Sequence, residues 1–176
     1  MNIVKIIQQE SKKYLKHVAI REAISSFTYE QLFENVKDIS QKLENEEIKK
    51  HARVALLCPE GADYIILVLA ILSLDAVAVP IHLNSSKEEI KRVIDEMKIE
   101  YFIYEETLFH SNGKNESFSI SYKKHSFVIQ HLNGKLAEQN EFESLNPAFI
   151  RFSSGTTAKS KGVVISHESI LERTDA

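Results

Sequence analysis

Apolar residues recur along this chain at two alternating intervals, and the alternation itself specifies a fold class. Residues 2–15 place Ile3, Ile6, Ile7 and Tyr14 at helical spacing. His17–Ile20 and Ile24–Phe27 then read as the two strands of a hairpin, divided by the polar break Arg21-Glu22. Thr28 and Gln31 form a capping-box pair, and Leu32, Phe33, Val36, Ile39 and Leu43 follow on one face, which predicts a helix over 29–46. After the charged stretch Glu44–Arg53, whose first part reads as a solvated helix end, Val54–Cys58 is continuously apolar, the pattern of a strand covered on both faces, and Pro59 ends it. Residues 61–74 are apolar nearly all round and predict a helix held in the interior. Ala76–Ile81 is a second buried strand, Ser86 and Glu89 open an amphipathic helix over 87–98, and Tyr101–Tyr104 is a third strand. Strands alternating with helices imply an α/β fold: a doubly wound, mostly parallel sheet with helices on both faces and right-handed crossovers.

The pattern then weakens. Residues 105–125 collect Ser, Asn, Lys and Glu and read as a surface loop with a weak strand at 118–120. Phe127–Ile129 and Phe149–Phe152 are further strands, separated by a polar linker or loop. After Gly162–Ile165, Ser166 can cap a helix that starts near His167. The sequence stops at Ala176 with no terminating glycine, so the chain is expected to end inside that helix as the front part of a longer protein; a frayed natural terminus is the alternative.

Composition narrows the function classes. With 22 Lys+Arg against 25 Asp+Glu, the formal charge of −3 supplies no basic field for nucleic acid or anionic lipid. The chain is 43% hydrophobic and 27% charged, with 5 Gly and 3 Pro in 176 residues, which implies one compact domain burying roughly 70% of the surface its unfolded chain exposes. A single cysteine, Cys58, fits a reducing, cytoplasmic compartment. The apolar run that starts at Tyr64 is broken by Asp75 and Pro80, so no membrane span is expected. The 7 histidines form no paired metal-ligand spacing.

Chemistry concentrates in Phe152–Gly162. Five hydroxyls, two lysines and two glycines lie between two strand-like runs. Glycine lets backbone N–H groups turn toward a ligand, hydroxyls donate, and ammonium groups neutralise charge, a set suited to a polyphosphate with its magnesium ion. A polar surface loop that binds nothing is the competing interpretation. The order is not that of a Walker A loop, because Lys161 precedes Gly162, and neither a nucleophile elbow nor a dinucleotide turn is present.

Ser153, Ser154, Gly155, Thr156, Thr157, Lys161 and Gly162, with His167 after Val163-Val164-Ile165-Ser166, resemble in register the phosphate-binding signature of the acyl-adenylate-forming enzymes. That family includes acyl-CoA synthetases, luciferases and the adenylation domains of peptide synthetases. Phe27–Leu32 is similar to its early Thr-Tyr-x-x-Leu segment, and Ile71–Pro80 to its helix-to-strand segment ending in Val-Pro. The resemblance implies that residues 1–176 are the N-terminal part of an adenylation domain, the remainder of the chain completing the site. It implies that a carboxylic acid attacks the α-phosphate of Mg-ATP and that a thiol of CoA or a carrier protein then displaces AMP. On this resemblance Ser153, Ser154, Gly155, Thr156, Thr157, Lys161 and Gly162 bind the nucleotide; Thr156 and Lys161 act in catalysis, and Thr157 contacts the metal. Three positions depart from the pattern: Ala158 and Asp75 stand where glycine is common, and Ser160 where proline is usual. Two other function classes are a stand-alone, non-catalytic nucleotide-binding or regulatory module, and an unrelated P-loop-like kinase or ATPase.

Overall fold

The computed structural model describes residues 1–109, 115–120, 125–132, 140–153 and 161–174. The chain opens with helix α1 (Ile3–Ser11), where Asn2 Oδ1 accepts from the N–H groups of Val4 and Lys5. A 3-10 turn at Lys12–Tyr14 leads into the expected hairpin, β1 (Val18–Arg21) and β2 (Ser26–Thr28), which forms a separate antiparallel sheet of two strands. Helix α2 (Tyr29–Asn45) starts on a complete capping box between Thr28 and Gln31. Strand β3 (Arg53–Leu57), helix α3 (Ala62–Ser73), strand β4 (Val77–Pro80), helix α4 (Lys87–Glu96) and strand β5 (Tyr101–Glu105) follow, with Ser86 and Glu89 boxing the start of α4.

The later elements are strands β6 (Asn115–Ser119) and β7 (Ser126–His131), helix α5 (Asn140–Ser144), strands β8 (Pro147–Ser153) and β9 (Lys161–Ser166), and helix α6 (His167–Thr174). The main sheet has the order β6-β7-β5-β3-β4-β8-β9. Its four central strands, β5, β3, β4 and β8, run parallel; β7 and β6 on one side and β9 on the other are antiparallel. The centre is therefore the doubly wound arrangement expected, and hairpins finish both edges. The segment expected to be loop with a weak strand at 118–120 contains β6, which overlaps that strand but begins earlier, at Asn115, and pairs with β7. The first three residues of β6 are polar and leave no apolar alternation to read, whereas Phe118 packs beside Phe127.

Side chains alternate across the central strands. Val54 and Leu56 of β3 and Ala78 of β4 face the layer of α1, α2 and α3, whereas Ala55, Leu57, Val77 and Val79 face Ile90 of α4. Helix α3 lies in the interior: Ile66, Leu67, Ala70 and Ile71 have no exposed surface. Helices α2, α3 and α4 are each followed by a residue at positive φ, Glu47 (62°), Asp75 (55°) and Lys98 (53°). After α2, Ile48 N–H reaches Leu43 C=O and Glu47 N–H reaches Glu44 C=O, the paired bonds of a Schellman end made without glycine. At Asp75 the backbone takes the left-handed conformation that glycine adopts most easily, and the side chain adds an acceptor, taking a 2.6 Å bond from Asn2 Nδ2.

Candidate functional site

The C-terminal ends of β3, β4 and β8 meet at one edge of the sheet, where open α/β sheets hold their ligands. A crevice of about 850 Å³ occupies that edge. Its floor is Cys58, Pro80 and Ile81; one wall is Glu60 and Tyr64 with Arg151 of β8, and the other is Glu89, Arg92 and Val93 of α4. His82–Ser85 close the rim, held by a turn in which the Ser85 N–H donates to His82 C=O and the Asn84 N–H donates to His82 Nδ1.

The two described flanks of the sequence-predicted segment come together at this edge. Ser153 ends β8 and is the register partner of Lys161, which starts β9; Phe152 pairs with Gly162. Ser153, Lys161 and Gly162 thus meet at the base of one hairpin. Ser154, Gly155, Thr156 and Thr157 lie outside the described residues, as do the departures Ala158 and Ser160. Gly162 has a packing reason to be glycine. A Cβ there would sit 2.9 Å from Met97 Sδ and 3.1 Å from Ile150 Cγ2, so the residue that caps the end of α4 rests directly on β9.

Burial sets the electrostatics around the crevice. The Cys58 thiol is pushed up to about 12, chiefly by burial and then by the charges of Asp63 and Glu105, so it stays protonated and unreactive. Burial likewise raises the Tyr64 phenol, against the opposing charge of Arg151. Glu89 accepts the Ser86 N–H at 2.7 Å and is held below the usual carboxylate range by that bond, with Arg92 adding to the effect. Beside the crevice, Asp63 is 3% exposed and its Oδ2 meets His125 Nδ1, tying the first turn of α3 to the start of β7. Among the described residues no group of three or more His, Cys, Asp or Glu is placed to hold a metal ion.

Sequence reading overlooked Arg92, Arg151, Tyr64 and His82. Arg151 alone gave a local signal, a charge inside the apolar run Phe149–Phe152.

His167 belongs to packing instead of to the crevice. It is 1% exposed, and its Nδ1 accepts the Ile3 N–H at 3.2 Å, so the ring fastens the start of α1 to the start of α6. The neighbouring Asn146 Nδ2 donates to Met1 C=O and to Glu168 Oε1. Burial lowers the His167 pKa, with Asp75 and Glu168 pulling the other way. The folded chain then binds fewer protons at this ring than the unfolded chain, whose ordinary value is about 6.5. The stability due to neutral His167 is full above that value and is lost as pH falls through the lower, folded one. His167→Gln, which keeps an acceptor without titrating, should flatten the fall of the thermal midpoint between about pH 7 and pH 5. Parallel curves for the two proteins would show that the ring does not carry this effect.

Comparison with known proteins agrees with the geometry. The AMP-binding enzyme family matches residues 7–176. The polyketide synthase-nonribosomal peptide synthetase phmA of Phaeosphaeria nodorum is 24% identical over 168 residues, covering 95% of this chain and 4% of that protein. Gramicidin S synthase 2 of Brevibacillus brevis is 25% identical over 173 residues, 96% of this chain and again 4% of the relative. The chain therefore spans a small fraction of the length of the curated relatives it matches. The N-terminal subdomain of NpsA from Klebsiella oxytoca superimposes with a TM-score of 0.73 at 23% identity, over 94% of this chain and 42% of that one, which shows a shared fold. With the family pattern covering nearly every residue and the fold that of such an N-terminal subdomain, this chain belongs to the AMP-binding, adenylate-forming enzyme family.

Proposed function

We propose that this chain is the N-terminal part of an adenylation domain and supplies the triphosphate-binding loop of a cytoplasmic ligase. That ligase joins a carboxylic acid to AMP and passes the acyl group to a thiol. The observation that supports the reading is the register of Ser153 with Lys161, which brings the two flanks of the hydroxyl-rich signature together at the end of β8, the strand whose Arg151 and Phe152 line the crevice.

In the first half-reaction a carboxylate oxygen bonds to the α-phosphorus of ATP, the α–β phosphoanhydride bond breaks, and pyrophosphate leaves. In the second, the thiol sulfur of CoA or a carrier protein attacks the acyl carbon and AMP departs. The chain's own groups hold charge in place during the first step. Ser153, Ser154, Thr156 and Thr157 donate hydrogen bonds to the β- and γ-phosphates, Gly155 and Gly162 let the backbone approach, and Lys161 neutralises the leaving pyrophosphate. This set of donors and cations fits a polyphosphate, and the magnesium ion that travels with ATP would take the Thr157 hydroxyl as a ligand. Family membership favours this reading over a P-loop kinase.

Lys161→Ala in the complete polypeptide should slow ATP–pyrophosphate exchange by about tenfold or more. It should slow thioester formation from preformed acyl-AMP much less. Equal losses in both half-reactions would remove the assigned role. Magnesium-dependent ATP binding without exchange for any acid would instead favour the non-catalytic nucleotide-binding module.

A further inference from the structure

Strand β8 delivers a second cation to the base of the hairpin. Arg151 pairs with Val163, and Ser153 with Lys161. Directly opposed residues, and residues two apart on one strand, share a face of the sheet, so positions 151, 153, 161 and 163 lie on one face of this hairpin. That face is open: Arg151 is exposed and Val163 is 54% exposed. Packing does not require an arginine there, since the neighbours Ile150 and Phe152 turn to the α4 side and supply the apolar contacts of this stretch.

The charge of Arg151 is available. Among the described residues it forms no ion pair, although Glu60 lines the same wall of the crevice. Arg92, on the opposite wall, sits instead beside Glu89 of its own helix. The positive field of Arg151 reaches into the crevice, where it opposes the rise that burial imposes on the Tyr64 phenol.

From these placements we infer that Arg151 is a phosphate-binding residue that grips the triphosphate of ATP and the departing pyrophosphate together with Lys161. Two residues of strand span about 7 Å, within reach of an extended arginine side chain from the base of the loop. The guanidinium fork matches two phosphate oxygens at once and stays charged at every working pH. The inference rests on the proposed triphosphate role of the hairpin and adds to it a contact from the strand instead of the loop.

The test uses the complete polypeptide and its ATP–pyrophosphate exchange. Arg151→Gln should raise the KM for ATP and for pyrophosphate by about tenfold, the loss expected for one charge-assisted contact in a partly open site, and leave the KM for the carboxylic acid unchanged. Arg151→Lys, which keeps the charge without the fork, should recover part of the loss. Because the side chain is exposed, both variants should unfold at the wild-type temperature. Unchanged KM values for both phosphate ligands in Arg151→Gln, alongside a defect in Lys161→Ala, would overturn this inference and leave the triphosphate reading standing. A rise confined to the acid would overturn it in favour of a carboxylate contact. Normal exchange in both Arg151→Gln and Lys161→Ala would remove the inference and the triphosphate reading together.

Discussion

Leu67→Ala is expected to lower the unfolding free energy by about 2–5 kcal/mol, read as a shift of the denaturant midpoint at constant slope. Leu67 has no exposed surface and belongs to the core layer formed by α1, α2 and α3 against the sheet. Helix α3 is enclosed on nearly every side, by the sheet beneath it and by α1 and α2 above. A deleted isobutyl group in such a site leaves a cavity that neighbours can close only partly, so the lost transfer energy and the cavity term add. Ile65 of the same helix is 38% exposed, and Ile65→Ala serves as the internal control, with an expected loss below about 1 kcal/mol. Similar losses at the two positions would mean that α3 is not held as the packing indicates. The effect bears on function, because the same helix carries Tyr64 into the crevice wall.

The contrast between those two positions shows what could be read in advance. Residues 61–74 announced an interior helix by being apolar all round, but periodicity could not say which position the other elements leave open. Sequence reading succeeded where the local signal and the tertiary role coincide. The capping boxes Thr28–Gln31 and Ser86–Glu89 form both of their bonds, and the apolar runs at 54–58 and 76–81 became central parallel strands. Ser166 accepts the Ser169 N–H at 3.1 Å and starts α6 as its position suggested.

Reading failed where the partner is distant or the strand is largely polar. Strand β6 was read only at its Phe118 end, because its first three residues are polar and are held by pairing with β7, and the antiparallel turn of the sheet at both edges left no mark in composition. Positive φ at Glu47, Asp75 and Lys98 was hidden because glycine, the usual marker, is absent from all three. At the site, the segment between Ser153 and Gly162 stood out because its hydroxyls, lysines and glycines lie close together in sequence. Arg92, Tyr64 and His82 were not, because they reach the crevice from separate elements. The His125–Asp63 pair joins residues 62 apart.

The other large loss is expected at Gly61, and it too depends on a distant partner. Gly61 is the N-cap of α3 with φ of 140°, a conformation that side-chain-bearing residues rarely adopt, and it has no side chain to bind the free N–H groups of the first turn. Glu22, from the turn after β1, supplies the acceptor: its Oε1 takes the Ala62 N–H at 3.0 Å, while its Oε2 takes the Ser25 hydroxyl at 2.9 Å. A Cβ on residue 61 would lie 2.7 Å from Glu22 Oε1. The carboxylate can swing away from that contact, but doing so forfeits the cap, worth about 0.5–2 kcal/mol. The backbone strain, about 1–3 kcal/mol, cannot be relieved by any side-chain movement. Gly61→Ala should therefore lose about 2–4 kcal/mol in chemical denaturation. Glu22→Ala alone should lose only the cap, and the double variant should fall short of the sum of the singles, because both routes remove the same hydrogen bond. Strict additivity would mean that Glu22 does not cap α3. A loss below about 1 kcal/mol for Gly61→Ala would mean that the chain reaches α3 through a backbone conformation other than the one at Gly61.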